Sequence, residues 1–309
     1  MANMTAKEAA IKWNTTEQMV RRYCRDGRIT GATQKGGTWF VPEVAEKPTR
    51  KKPEAPVAPE FVRQLQRQRT KKIYHGLYDY IQINFCYSSN RMASNRLMLK
   101  QVEDVFKKKK VYPTFEPVKV DDLIEAYNHF TCVNYIIDTA ATRLSQTYIR
   151  KLHSMISYGT MAERTHQFHP GEYRKEACTL DKTKTTAPKN IASQMSALIS
   201  DYEGLDQVKL AQILDFHVRF ERIRPFTDGN GRVGRLLMFK ECLRHEITPF
   251  ILDDKRRAEY LKGLREWDMD RTTLFTPCLE AQSRFNAQID LQKLQTYAQL
   301  YKPADYKED

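Results

Sequence analysis

The chain has 309 residues, 41% of them hydrophobic, with 51 Lys and Arg against 38 Asp and Glu for a net charge of +13. That length holds one sizeable core and a small accessory domain, while the longest apolar runs, such as Ile247–Leu252, are too short to span a bilayer. The N-terminus lacks a signal-peptide core, and six scattered cysteines (Cys24, Cys86, Cys132, Cys178, Cys242, Cys278) indicate neither a zinc site nor a disulfide framework, so no membrane partner and a cytoplasmic location are expected.

At the start of the chain, Thr5 is placed to cap a helix over Ala6–Trp13, with Glu8 completing a capping box. Asn14-Thr15 turns, Thr16 caps a second helix from Glu17 to about Asp26, and Gly27 ends it in the left-handed region. Two β-prone runs within Ile29–Pro42 flank Lys35-Gly-Gly37, a hairpin signal. Helix, turn, helix and hairpin make the layout of a winged helix-turn-helix over residues 1–47. The pattern T-x-K-E-A-A…W…R-x-x-C-x-x-G-R-I-x-G-A…G-x-x-W-x-V-P, Thr5 to Pro42, resembles the excisionase/MerR-like helix-turn-helix domains. Residues 1–58 carry eleven Lys and Arg against six Asp and Glu. Arg21, Arg22, Arg25, Arg28 and Lys35 could track the phosphates of duplex DNA while the second helix enters a major groove. The same fold could instead dock a protein. Trp13, Trp39 and Phe40 read as its small core.

Pro48, Pro53, Pro56 and Pro59, with basic residues between them, describe an extended linker over residues 48–59. The chain beyond is helical in pattern. Ile73, Leu77, Ile81 and Phe85 recur every four residues, marking an amphipathic helix. Further helices are expected over Val120–Ala141, Ser145–Ser157, Lys189–Tyr202, Leu205–Ile223, Gly231–His245 and Asp254–Met269, and a last one after Thr276. The stretch His169–Pro188 interrupts them and holds the β-like Glu176–Leu180. Lys107–Lys110 ends a helix as a cationic cap, and the polar tail Lys302–Asp309 is expected to fray.

The stretch His217-Val-Arg-Phe-Glu-Arg-Ile-Arg224-Pro-Phe-Thr-Asp228-Gly-Asn-Gly231-Arg232-Val-Gly-Arg235 carries the chemistry. One helix ends near Ile223, and Asp-Gly-Asn-Gly turns directly into another. Gly229 and Gly231 permit the sharp turn and bring bare N–H groups to a ligand, where the new helix's dipole favours an anion. Arg232 and Arg235, three apart, can fork onto phosphate oxygens, and Asp228 supplies a hard oxygen for magnesium. The assembly reads as a cradle for a Mg-polyphosphate.

These residues resemble the Fic (Fido) family motif H-P-F-x-[D/E]-G-N-G-R-x-x-R. Pro225, Phe226, Asp228, Gly229, Asn230, Gly231, Arg232 and Arg235 match it, and the resemblance spans roughly 60–285, leaving 286–309 as a C-terminal helix and tail. It implies a mainly α fold, a Fic-type helical bundle with a β-hairpin flap beside the small N-terminal winged helix-turn-helix. It also implies ATP and Mg as cofactors and AMP transfer to a protein Ser, Thr or Tyr hydroxyl. Gly171-Glu-Tyr173-Arg174 looks like the family's approach to the flap that clamps a target peptide, and Asp253–Tyr260 like the late helix closing the pocket.

Two positions depart from the pattern. Where the family has the histidine that deprotonates the attacking hydroxyl, this chain has Arg224, which has no lone pair for base work. His217 is the nearest other histidine, either a substitute base or a packed core residue. Ser89-Asn-Arg-Met-Ala93-Ser-Asn95 resembles the family's inhibitory S-x-x-x-E-[G/N] helix with Ala93 in place of the glutamate, which implies an Arg235 free for the γ-phosphate. Three functions stay open: an active or residually active adenylyltransferase aimed at DNA, a non-catalytic nucleotide-sensing regulator, and a peptide-binding scaffold.

Overall fold

The computed structural model describes residues 2–48, 58–112, 117–180 and 183–300. Contacts divide the chain into two compact units, Met1–Pro56 and Val57–Asp309. Most of the stretch 48–59, read as a linker, and the tail 302–309 lie outside the described residues.

In the first unit, β1 (Asn3–Thr5) leads into α1 (Ala6–Lys12), α2 (Glu17–Arg25), β2 (Thr33–Lys35) and β3 (Thr38–Pro42). Thr5 and Glu8 form the reciprocal capping box, and the Thr16 hydroxyl accepts from the Met19 N–H. The β2–β3 loop is the two-residue Gly36-Gly37, both at positive φ, as a twisted hairpin requires. β1 is a third strand that the sequence reading missed, paired with β3. The core gathers Ala9, Trp13, Val20, Tyr23 and Val41, with Trp39 half-buried against it. Phe40, expected in that core, is only half-buried and lies outside it.

The second unit is helical: α3 (Glu60–Thr70), α4 (Leu77–Arg91), α5 (Leu99–Lys108), α6 (Val120–Asp138), α7 (Gln146–Ser157), α8 (Met161–Arg164), α9 (Ile191–Glu203), α10 (Leu210–Ile223), α11 (Asn230–Arg244), α12 (Arg257–Glu266) and α13 (Thr272–Leu300). A short hairpin, β4 (Thr179–Leu180) with β5 (Thr183–Lys184), stands between α8 and α9. α11 is the central element, buried from Arg232 to Leu243. Its Val233, Leu236, Leu237 and Phe239 join side chains of α3, α4, α6, α7, α9, α10 and α13 in the largest core. Met238 and Cys242 face a second cluster with α12 and α13.

Several boundaries differ from expectation for local reasons. Ile73 is not in the helix that holds Leu77, Ile81 and Phe85; it is 45% exposed in a turn where Lys72 and His75 take positive φ. α10 starts at Leu210 rather than Leu205, because the Gln212 amide oxygen accepts from the Lys209 N–H and caps it. A 3-10 turn over Asp254–Arg256 precedes α12. α13 begins at Thr272, where Asp270 caps it, and runs without a break across residue 286. No helix of the described residues is long and apolar enough to cross a membrane.

Candidate functional site

α10 runs to Ile223, and Arg224 then takes left-handed angles (φ 48°), its N–H still bonded to the Phe220 carbonyl at 3.0 Å. Phe226 is fully buried and lies parallel to the His153 ring of α7, centroids 3.8 Å apart. The buried Asn230 side chain clamps the Phe226 backbone, accepting from its N–H at 2.9 Å and donating to its carbonyl at 2.7 Å. Its amide therefore braces the turn. Gly229, at φ 75°, opens α11, and no side chain among the described residues caps its first-turn N–H groups. A Cβ on Gly231 would come within 3.0 Å of the Arg235 guanidinium, so the bare glycine lets that side chain fold back over the helix start.

Arg232 and Arg235 are both buried but diverge. The Arg232 guanidinium is paired with Glu125 of α6 at 2.5 Å and with Asp228 at 3.2 Å. Glu125 in turn accepts from the Asn95 amide at 3.0 Å. Arg235 donates to the Ser89 hydroxyl at 3.1 Å and the Ser89 carbonyl at 2.8 Å. With Ala93 in place of the expected glutamate, Arg235 thus meets neutral acceptors of Ser89 rather than a carboxylate at position 93. Neutral groups of α4 hold it, because a buried guanidinium recruits acceptors wherever the fold supplies them. Asp228 is at the rim, its side chain 65% exposed.

These groups wall a cavity of about 250 Å³ together with Ala93, Glu221, Arg224, Arg257 and Tyr260. Among the described residues the Arg224 guanidinium forms no hydrogen bond or ion pair. Glu221 is buried beneath it; burial pushes its carboxyl above the usual range, against the pull of Arg235 and Arg224. A larger, mostly apolar hollow of about 760 Å³ lies among α5, α6 and α7, but it has no helix start and no paired arginines, so chemistry assigns the site to the smaller cavity.

His217 is sequestered between α10 and α11, 2.6 Å from the Tyr260 hydroxyl, with burial lowering its pKa to about 3. It is a packed histidine, outside the cavity wall. Gly171 and Arg174 are both buried. The Gly171 N–H donates to His153 Nδ1 at 2.8 Å. Arg174 donates to the Arg224 carbonyl at 2.8 Å and to Thr185 Oγ1 at 3.0 Å, stapling both hairpin legs to the corner before Phe226. Tyr173 reaches Gln146 at 3.0 Å. On α2, Arg21, Arg22 and Arg25 are exposed, with Arg21 paired to Glu17 and Arg22 to Asp26; Arg28 covers the Tyr23 ring and Lys35 is exposed at the hairpin.

Sequence reading missed Glu125 and His153, whereas Arg257 and Tyr260 belong to the stretch Asp253–Tyr260 expected to close the pocket. Glu125 lies 107 residues from its partner and gives no local signal. His153 shares the apolar stripe of Ile149, Leu152 and Ile156, where a histidine stands out.

A helical bundle here opens a glycine turn onto a helix start with two arginines behind it, the groups from which helix-terminus anion sites are built. Residues 143–242 match the Fic/DOC family. A protein adenylyltransferase Fic of Nematostella vectensis is 24% identical over 185 residues, covering 58% of this chain and 42% of that relative. A probable protein adenylyltransferase of Aquifex aeolicus is 31% identical over 102 residues, covering 31% of each. The chain thus spans less than half the length of these curated relatives. Among solved structures, a Fic-domain-containing signaling protein from Bacteroides thetaiotaomicron superposes with a TM-score of 0.59 at 18% identity, covering 75% of this chain and 94% of that one. Fic-1 from Caenorhabditis elegans gives 0.60 at 17%, covering 76% and 72%. The fold is the mainly helical Fic fold, and the matches support a Fic/DOC domain within the chain.

Proposed function

We propose that the chain binds a Mg-nucleoside triphosphate, ATP first, in the cradle from Asp228 to Arg235. By its chemistry it is of the class that transfers AMP to protein Ser, Thr or Tyr hydroxyls, with transfer weak or lost because of Arg224. The observation that carries this reading is the open start of α11, its first N–H groups bare and Arg235 folded over Gly231. Asp228 fits a magnesium ion, since its carboxylate is exposed at the rim. Among the described residues no three His, Cys, Asp or Glu side chains converge, so the ion would rest on that carboxylate, water and the ligand's phosphates. When bound, magnesium would neutralise phosphate charge. The chain's own groups orient the phosphates and keep the α11 N–H groups facing them.

Arg224 favours a second reading, a non-catalytic nucleotide sensor, because a guanidinium holds phosphate and accepts no proton. Incubation with α-labelled ATP and magnesium separates the two. Label on the chain or on a lysate protein, lost in Arg232→Ala, supports transfer; micromolar ATP binding by calorimetry without label supports the sensor. Absence of heat from any of the four triphosphates would sink both.

The first unit is proposed to reach duplex DNA through Arg21, Arg22, Arg25, Arg28 and Lys35. Affinity should then fall steeply between low and moderate salt. A salt-independent interaction would point to protein docking instead.

A further inference from the structure

We propose that His153 is a positioning residue, a strut that fixes the Asp228–Gly231 loop for phosphate and ties it to the base of the hairpin. The proposal rests on the nucleotide reading for its purpose, but its geometry stands apart from it. The ring is buried in α7 and makes three separate attachments. Its Nδ1 accepts from the Gly171 N–H at 2.8 Å, and that bond assigns the proton to Nε2. The Nε2–H then lies 3.1 Å from the Asp228 carbonyl, with the Ser157 hydroxyl the more distant neighbour at 3.4 Å. The ring face lies on Phe226, 3.8 Å away and within 1° of parallel.

The consequence for the loop is directional. An N–H donated to the Asp228 carbonyl fixes the peptide plane entering Gly229, and that plane sets where the following N–H groups point. The same ring closes the space under the turn, since a Cβ on Gly229 would stand 3.4 Å from His153 Cδ2. Because Gly171 is three residues before Arg174, whose side chain donates to the Arg224 carbonyl, the hairpin base is bonded to both ends of the motif turn. Neither attachment is made by a residue that faces the cavity.

Two substitutions take the arms apart in the full chain. His153→Asn retains an acceptor near the Nδ1 position for Gly171 and removes the donor to Asp228. His153→Gln extends an amide donor toward Asp228 and gives up the near acceptor. Both lose the stack on Phe226, so their difference reads the hydrogen bonds alone. Amide exchange at Gly171 and at Phe226, which is bonded to Asn230, is followed alongside Mg-ATP calorimetry. In His153→Asn, Gly171 should stay protected, Phe226 should exchange about tenfold faster, and ATP affinity should fall about tenfold. In His153→Gln, Gly171 should lose protection while ATP affinity stays within about threefold of the parent. Identical exchange and affinity in the two variants, whether unchanged or equally damaged, overturns the strut. If the parent binds no nucleotide, the proposed function fails, and the exchange pattern still decides the role of His153.

Discussion

The Glu125 carboxylate of α6 sits 2.5 Å from the Arg232 guanidinium, so the first arginine of the proposed phosphate cradle already holds an anion of its own. Arg232 is 6% exposed, and its second partner, Asp228, is more distant and largely in solvent.

A bound triphosphate must share Arg232 with Glu125 and sits beside its negative charge. Glu125→Gln should therefore tighten Mg-ATP binding by about tenfold, an effect of about 1.4 kcal/mol. The same change exchanges a charged acceptor on a buried cation for a neutral one, and should cost about 2 kcal/mol of stability. At a shift of about 2–4 °C per kcal/mol for a domain of this size, the melting temperature should drop by roughly 4–8 °C. Calorimetry and a thermal melt measure the two effects independently. Weaker nucleotide binding would mean that Glu125 orients Arg232 rather than competing for it.

A close helix crossing supports the same wall. A Cβ on Gly234 would stand 2.7 Å from Glu221 Oε1 and 2.8 Å from His217 Cε1, both inside van der Waals contact. Gly234→Ala should push α10 from α11 and cost about 1–3 kcal/mol despite alanine's better helix propensity. Because Glu221 and Arg235 share that crossing, nucleotide affinity should fall with it. A melt at or above the parent's would show that the crossing relaxes freely.

Arg224→His tests the chemistry. The position has left-handed angles, which histidine tolerates better than most residues, so the exchange should fold without penalty. A positioned general base is worth about two to four orders of magnitude in rate, and transfer of label from α-labelled ATP should rise by that amount if only the base is missing. No gain, with ATP still bound, would mean the cavity serves binding alone.

Local features were legible in the sequence and distant ones were not. The Asp228–Gly231 turn, the Gly36-Gly37 hairpin and the Thr5 capping box are each set by residues within a few positions of one another, where glycine and hydroxyl chemistry leave few options. Apolar spacing extends to Ile73, yet α4 starts at Leu77, because Lys72 and His75 on either side of Ile73 leave helical angles. The partners of the two cradle arginines come from α6 and α4, 107 and 146 residues away, and no spacing rule reaches that far. Arg235 shows what the Ala93 position alone does not reveal. Removing one acceptor from a sequence pattern does not leave a buried cation free when Ser89, in the same segment, offers a hydroxyl and a carbonyl.

Acid should unfold this protein early, through histidines that are buried uncharged: His153, whose pKa burial lowers to about 4, and with it His129 and His217. Burial, with Arg235 and Arg232 nearby, lowers the His129 pKa to about 3; both its ring nitrogens lack hydrogen-bond partners among the described residues, and its ring meets Phe85 edge-on at 4.9 Å. Burial and Arg235 lower His217 to about 3 as well. Between about pH 6.5 and pH 4 the unfolded chain binds these protons and the folded chain does not, so stability falls as pH falls. From pH 7.5 to pH 5 His129 and His217 together should account for a loss on the order of 4 kcal/mol. Glu221 works the other way, since its raised pKa lets the folded state take up a proton as pH drops. His129→Leu removes one titrating ring from an apolar site, so its stability should decline about two-thirds as steeply as the parent's over that interval, with His217 and His153 still titrating. Urea melts at the two pH values on both proteins measure this, and parallel slopes would show that His129 is charged in the folded state.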